Sequence, residues 1–224
     1  MGLSIRQVLK GKTPKPSLVI LGAGGLGKVA EQIAKHQGKY EVVGFCDDKF
    51  EGMTVENDQL LASFEEINSI LEEPSCVFVI AIGNSKIRSD IFNRVRIPEE
   101  RFVNVIHPRA FIDTNVTLGT GNLLMPNIVI HSGVSISNHC IVNSASVIEH
   151  KSVISSFVSV APNSTICGAV EIGERCFIGA GSVIIQCLSI GEDTTIGAGS
   201  LVIRDQPAHV VAYGSPSKVI KESY

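Results

Sequence analysis

The chain has 224 residues, with 19 Lys and Arg against 22 Asp and Glu, and a net charge of −3 near neutrality. That balance argues against a nucleic-acid or anionic-membrane surface, and no apolar run reaches the ~18 residues that a membrane-spanning helix needs. Residues 1–16 carry charges and proline without an apolar stretch, so they do not read as a signal peptide. The six cysteines include no C-x-x-C pair and read as reduced thiols of a cytoplasmic protein, with those at 140, 167, 176 and 187 as small packing residues.

The first predicted element is an apolar strand, Leu18–Leu21, followed by a glycine-rich turn and a helix over Lys28–His36. Further strands are predicted at Glu41–Cys46 and Cys76–Ile82, with a helix-like stretch Phe64–Leu71 between them and a fourth short strand, Phe102–Ile106, before His107-Pro108. Strands alternating with helices imply a parallel sheet of βαβ units. At about 90 residues the region is too small for a two-halved dinucleotide fold and reads as one mononucleotide-binding half. Within it, Gly22-Ala-Gly24-Gly25-Leu-Gly27 matches G-x-G-x-x-G between a strand and a helix. Glycines there permit a tight turn and a close approach of backbone to phosphate, and the helix N-terminus adds partial positive charge. Asp47 and Asp48 end the second strand, where an acid contacts a ribose hydroxyl, and Asn84, Lys86 and Arg88 follow the third strand, where open α/β sheets bind ligands.

From Ile112 to Val202 every sixth residue is Ile, Leu or Val, sixteen positions without a miss or an insertion. A period of six fits neither a 3.6-residue helix nor an isolated half-buried strand. It fits a triangular solenoid in which one hexapeptide makes one side and three make a coil. The fourth residue after each aliphatic is mostly small, as at Cys140, Ser146, Ser152, Ser164, Ser182 and Ser200, which suits a chain turning a corner inside a narrow prism. The expected fold is therefore a Rossmann-like α/β domain over residues 1–106 followed by a left-handed parallel β-helix over 107–224. Its last segment, from Pro207, leaves the hexapeptide phase.

Glu149-His150 is the chemical candidate in the solenoid. His150 stands two positions after Ile148, off the inward column, so it should point outward. One coil of 18 residues stacks Ser132, His150, Gly168 and Gln186 on one edge, with rungs about 4.8 Å apart. A neutral imidazole can take a proton from an attacking amine or hydroxyl, and a free Gly168 N–H could polarise a thioester carbonyl. His131, His139 and His150 have no metal-ligand spacing, and no metal site is expected.

The order G-A-G-G-x-G-K, C-D-D, A-I-G-N, V-I-H-P, N-x-x-S-V-I-E-H, A-P-N-S-T-I-C-G, G-A-G-S-V-I and Y-G-S-P-S-K resembles one branch of the hexapeptide acyltransferases. That branch holds the bacillosamine-type nucleotide-sugar N-acetyltransferases and the sialic acid O-acetyltransferases. The resemblance runs through nearly the whole chain from Leu18. It implies a homotrimer with acetyl-CoA as co-substrate between adjacent β-helices, and a nucleotide-linked sugar on the first domain. It further implies His150 as general base with Glu149 beside it, Asn143 as a nearby polar group and Gly168 as the oxyanion amide. Ser159, Gly168, Gly181, Gly214, Pro216 and Lys218 would lie along coenzyme A, and Gly22, Gly24, Gly25, Gly27, Asp47, Asp48, Asn84, Lys86 and Arg88 along the nucleotide sugar. Three positions depart from the family pattern: Lys151 replaces Asp or Glu after the histidine, Ser159 replaces a second histidine, and Leu26 replaces the histidine of G-G-H-G. The expected reaction is acetyl transfer from acetyl-CoA to the amine of a nucleotide-linked amino sugar. O-acetylation of a sialic-acid-like sugar and a catalytically silent sugar-nucleotide binder stay open.

Overall fold

A computed structural model describes residues 14–222, so most of the segment read as lacking a signal peptide lies outside the described residues. The first domain is a five-stranded sheet of β1 (Ser17–Leu21), β2 (Glu41–Cys46), β3 (Met53–Glu56), β4 (Gln59–Ala62) and β5 (Cys76–Ile80), in the order β3-β4-β2-β1-β5. β1 sits between β2 and β5, parallel to both, and all five of its residues are buried. This is why Leu18–Leu21 reads as a continuous apolar run and not as an alternation. Helices α1 (Gly25–Gln37), α2 (Ile67–Leu71) and α3 (Ser85–Val95) complete the domain. Among the described residues no helix is long and apolar enough to cross a membrane.

Several expected elements are corrected. α1 begins at Gly25, three residues before the expected start, because Gly24 already occupies the extended N-cap conformation. The hairpin β3–β4 was not expected. Its turn residues Asn57 and Asp58 both have positive φ, as a two-residue hairpin turn requires, but the turn carries no glycine to announce it. The stretch 84–88, expected as a ligand-facing segment after the third strand, opens α3, with Asn84 as its N-cap. Val105–Ile106, expected as the domain's fourth strand, pairs instead with Leu123–Leu124 and is the first rung of the β-helix, while Phe102 keeps a single bridge to Phe78 of β5.

The second domain is a left-handed parallel β-helix of two-residue strands forming three faces. Face I begins at Val105–Ile106 and Leu123–Leu124, face II at Phe111–Ile112 and face III at Thr117–Leu118, and no loop interrupts the coils. Each rung pairs in register with the rung one coil on, as Val129↔Val147 and Ile130↔Ile148 do. The aliphatic column points inward: Ile130, Ile148, Ile166, Ile184 and Val202 are all fully buried on face II. At the corners the small inward residues also close polar accounts that spacing alone does not reveal. The Ser146, Ser152, Ser164 and Ser182 hydroxyls each donate to a carbonyl 15 residues ahead, at 2.9–3.0 Å. These bonds leave the corner hydroxyls satisfied in the interior, where an unpaired one would be costly. The cysteine reading holds for Cys140 and Cys176, which are buried, but Cys167 is half-buried and Cys187 exposed, because both fall on outward positions. The final strands, Val210–Gly214 and Ser217–Glu222, form an antiparallel hairpin that extends face I beyond Thr195–Ile196.

Candidate active site

The glycine-rich loop joins the C-terminal end of β1 to α1, and its four glycines divide by physical role. A Cβ on Gly27 would collide with the Gly22 carbonyl oxygen, and one on Gly22, at φ +107°, would stand 2.8 Å from Ile82 Cγ1. These two are required by the turn itself. Gly24 and Gly25 are exposed, and a Cβ on either would meet nothing within 4 Å. Their bare backbone faces solvent at a helix start with no side-chain cap and no acid in its first turn, as a phosphate cradle needs. Asp47 sits against this loop, but its Oδ2 accepts the Ala23 N–H at 2.6 Å and its Oδ1 the Lys49 N–H at 3.1 Å. Asp47 therefore shapes the loop directly. The exposed Asp48 pairs with Arg94.

Beyond β5, Asn84 is the N-cap of α3, accepting the Ile87 N–H at 3.0 Å. It and the exposed Lys86 line a cleft of ≈ 970 Å³ between the start of α3 and the coils near Phe177 and Thr195. The far wall carries Arg175 paired with Asp193 through two bonds of 2.8 and 2.7 Å. That pairing holds the Asp193 carboxyl below its usual value, chiefly by the Arg175 hydrogen bonds, and sequence reasoning did not single out this wall. Arg88, expected among the ligand cations, is instead fully buried: its guanidinium bonds carbonyls of both domains and faces no solvent. Ser159, expected along coenzyme A, is also buried, its hydroxyl donating to the Gly83 carbonyl at 3.1 Å. The sequence could not reveal this, because both residues occupy positions where exposure is the usual state.

On the β-helix the candidate residues fall into two rows at the two ends of face II. At the II/III edge the exposed His150 ring lies over Gly168, so that a Cβ on Gly168 would stand 2.6 Å from Cε1 and 2.7 Å from Nε2. Only glycine leaves room for the imidazole there. Ala169 N–H donates to the His150 carbonyl at 2.9 Å, while the Gly168 N–H has no hydrogen-bond partner among the described residues. Glu149 turns away from His150. Its Oε1 is 3.6 Å from Nε2 of His131, one coil earlier, so Glu149 does not orient the candidate base. Lys151 has φ 60°, but so do the equivalent residues at most corners, including Ala145, Phe157, Asn163 and Ala169 at 54–60°. Its backbone is thus the generic corner conformation and carries no functional signal.

At the I/II edge stand Asn143, whose Oδ1 accepts the Ser144 N–H at 3.0 Å, and the exposed Gly181 and Gly199, whose missing side chains leave open space. The row ends at Gly214, whose N–H reaches the Ser200 hydroxyl at 3.3 Å, followed by Pro216 and the exposed Lys218 in the terminal hairpin. A single chain therefore does not bring Asn143 or Gly181 against His150. Among the described residues no cluster of three or more metal-ligating side chains occurs.

A glycine-rich mononucleotide-binding domain joined to a hexapeptide β-helix, with a histidine laid over a free glycine amide on an outer edge, defines the hexapeptide acyltransferase class. Residues 17–95 match the family described as the PglD N-terminal domain, and residues 151–186 and 169–204 match bacterial transferase hexapeptide repeats. The chain is 30% identical to the solved structure of PerB from Caulobacter crescentus in complex with CoA and GDP-perosamine, with a TM-score of 0.82 over 91% of this chain and 97% of that one. It is 28% identical to the acetyltransferase domain of PglB from Neisseria gonorrhoeae in complex with acetyl coenzyme A, with a TM-score of 0.82 over 92% and 100%. It is also 28% identical to GDP-perosamine N-acetyltransferase of Escherichia coli O157:H7, over 75% of this chain and 77% of that protein. The chain belongs to the hexapeptide-repeat sugar acetyltransferase family that includes the bacillosamine-type nucleotide-sugar N-acetyltransferases.

Proposed function

We propose that the protein transfers acetyl from acetyl-CoA to the amino group of a nucleotide-linked amino sugar, in the cytoplasm, with His150 as general base. The observation that carries the chemistry is the His150 imidazole held over Gly168 beside that residue's unpartnered N–H. A base and an oxyanion donor then stand within one coil of each other on an exposed edge. The amine attacks the thioester carbonyl while the neutral imidazole takes its proton, and the Gly168 N–H receives the charge developing on the carbonyl oxygen. Collapse of that intermediate expels the coenzyme A thiolate, which the imidazolium protonates. No thiol-bound intermediate is invoked: burial raises the Cys167 thiol, and the nearby Glu149 carboxylate raises it further, both of which oppose a nucleophilic thiolate.

The first domain supplies the sugar-nucleotide site, with the diphosphate over Gly24 and Gly25 and Asn84 and Lys86 at its margin. The β-helix supplies the coenzyme site, along Gly181, Gly214, Pro216 and Lys218. The division of roles falls just before Val105, the first rung of the β-helix, a little earlier than the expected boundary after residue 106. The complete active site forms between chains of a homotrimer. The outward positions of face II, at Phe111, Val129, Val147, Val183 and Leu201, are apolar with one interruption at Thr165, whereas those of face III include Thr117, Ser135, Glu171 and Ser189. Three copies packed through face II would set the His150 edge of one beside the Asn143–Gly181 edge of the next. Six unpaired thiols suit a reducing compartment.

The experiment is a coenzyme A release assay over a panel of UDP-, GDP- and dTDP-linked amino sugars, with the matching hydroxy sugars and CMP-sialic acid as O-acetyl acceptors. Release confined to amino sugars supports the proposal. Release only with hydroxy sugars reassigns the acceptor, and binding of sugar nucleotides without release favours the silent binder.

A further inference from the structure

Among the described residues Arg88 is the largest fully buried side chain, and no carboxylate pairs with it. Its guanidinium instead bridges two domains. Toward the first domain, Nη1 donates to the carbonyls of Ile82 and Gly83 at 2.6 and 3.3 Å. Toward the β-helix, Nε donates to His139 O at 2.8 Å, and Nη2 to Phe157 O at 2.6 Å and Ser159 Oγ at 3.0 Å. Ser159 Oγ closes the ring by donating to Gly83 O, and Ser85 Oγ reaches Ser159 Oγ at 3.2 Å. Arg88 Nη1 and Ser159 Oγ meet at the Ile82 and Gly83 carbonyls, in the turn that leaves β5.

That turn carries the glycine-rich loop with it. The Gly22 backbone leans on Ile82 so closely that a Cβ would stand 2.8 Å from Ile82 Cγ1, and Leu26 lies against Gly83. The contact path thus runs from carbonyls of the β-helix through one guanidinium to Ile82 and Gly83, and from them to the phosphate-facing loop. A buried cation without a counter-ion is an expensive way to join two domains, and the Phe92, Phe102 and Phe157 rings already pack across this junction. What the aromatic rings cannot supply is a fixed register, whereas a planar five-donor fork can.

We propose that Arg88, with Ser159 and Ser85, is a positioning device that sets the acceptor-binding loops of the first domain against the β-helix. This rests on the proposed function for the identity of the acceptor. None of the three touches the reacting atoms. Their role is to hold Gly83–Lys86 and the glycine-rich loop at one height along the prism, so that a sugar bound there meets the catalytic edge. Coenzyme A, held by the far edge of face II, does not depend on them.

The test uses the full chain with Ser159→Ala and Arg88→Lys, rates measured against each substrate in turn, and hydrogen exchange of residues 82–88 without substrate. Ser159→Ala should lower kcat/KM for the nucleotide sugar about three- to tenfold and Arg88→Lys about ten- to hundredfold, with KM for acetyl-CoA within about twofold of the parent. Exchange should quicken at 82–88 while the hexapeptide coils stay protected. Unchanged exchange and an unchanged sugar-nucleotide KM in Ser159→Ala would overturn the proposal. So would a joint rise of both KM values with faster exchange throughout, since that marks plain destabilisation. If the parent acetylates no nucleotide sugar, the functional reading falls by itself. The exchange comparison still decides the device: faster exchange confined to 82–88 upholds it, and unchanged exchange removes it.

Discussion

The β-helix and the first domain bury their backbones over different ranges of the chain. In the β-helix every rung pairs one coil away, as Ile148 does with Ile166, and most corners repeat a left-handed backbone residue and a small inward side chain. In the first domain Ser17 of β1 pairs with Glu41 on one side and Cys76 on the other, and the turn after β5 is held by carbonyls as distant as His139 and Phe157. The repetitive half therefore separates stability, which lives in the inward column, from the proposed chemistry, which is assigned to exposed edges. The other half mixes them, because the loops proposed to face the ligand are also the joints of the fold.

Ile166→Ala tests the stability side of that separation. Ile166 is fully buried between coils, and its truncation should cost about 2–5 kcal/mol of stability. Because coils contact only their neighbours, denaturation should first loosen the coils around Thr165–Ile166. Calorimetry with hydrogen exchange would check this, and a loss spread evenly over both domains would break the comparison. Gly168→Ala tests the chemical side. Its Cβ would enter the space of the His150 ring, so the imidazole must swing away and turnover should fall about 10²-fold or more. The melting temperature should barely change, because the residue lies on an outer edge.

Gly24→Val addresses the mixed half at one of the two glycines where fold and proposed ligand separate. A Cβ there meets open space, so the domain should fold normally, while affinity for the sugar nucleotide should fall at least about tenfold by calorimetric titration, with coenzyme A binding intact. Equal loss of both ligands would show that the loop is structural after all.

The smallest effect concerns the junction itself. His139 is 1% exposed among Phe92, Phe102 and Phe157, and neither ring nitrogen has a hydrogen-bond partner. Glu99 Oε1 stands 3.4 Å from Nε2. Burial lowers its pKa below the ordinary 6.5, and the nearby Arg88 charge adds to this, while Glu99 opposes it. A lowered histidine value means that the unfolded chain binds the proton more tightly. The junction's stability is therefore full above about pH 6.5 and declines as pH falls from there toward the folded value. His139→Phe should flatten that decline in melting temperature between about pH 6.5 and 5. An unchanged slope would assign the acid sensitivity elsewhere.

The same difference explains what was legible in the sequence. Sixteen aliphatics in phase, with small residues at the corners, determine the solenoid without a structure, because each coil repeats one local rule. His150 over Gly168 followed from the 18-residue stack alone. The first domain was legible only where its pattern is local, as in β1, β2 and the glycine-rich loop. The β3–β4 hairpin escaped because Asn57-Asp58 adopts its turn without glycine. Arg88 and Ser159 were misplaced because their burial depends on contact between domains, which no local pattern records. The place of Asp47 at the end of β2 predicts a ribose contact, whereas its bonds to the Ala23 and Lys49 N–H groups depend on the loop's backbone path, which strand spacing does not record.

The most direct test of the central claim is the initial rate of coenzyme A release from acetyl-CoA with a nucleotide-linked amino sugar, compared between the parent and His150→Ala. The account predicts turnover by the parent and a loss of about 10²- to 10⁴-fold in the variant, with both substrates bound as tightly as before. A His150→Ala protein as active as the parent would contradict it.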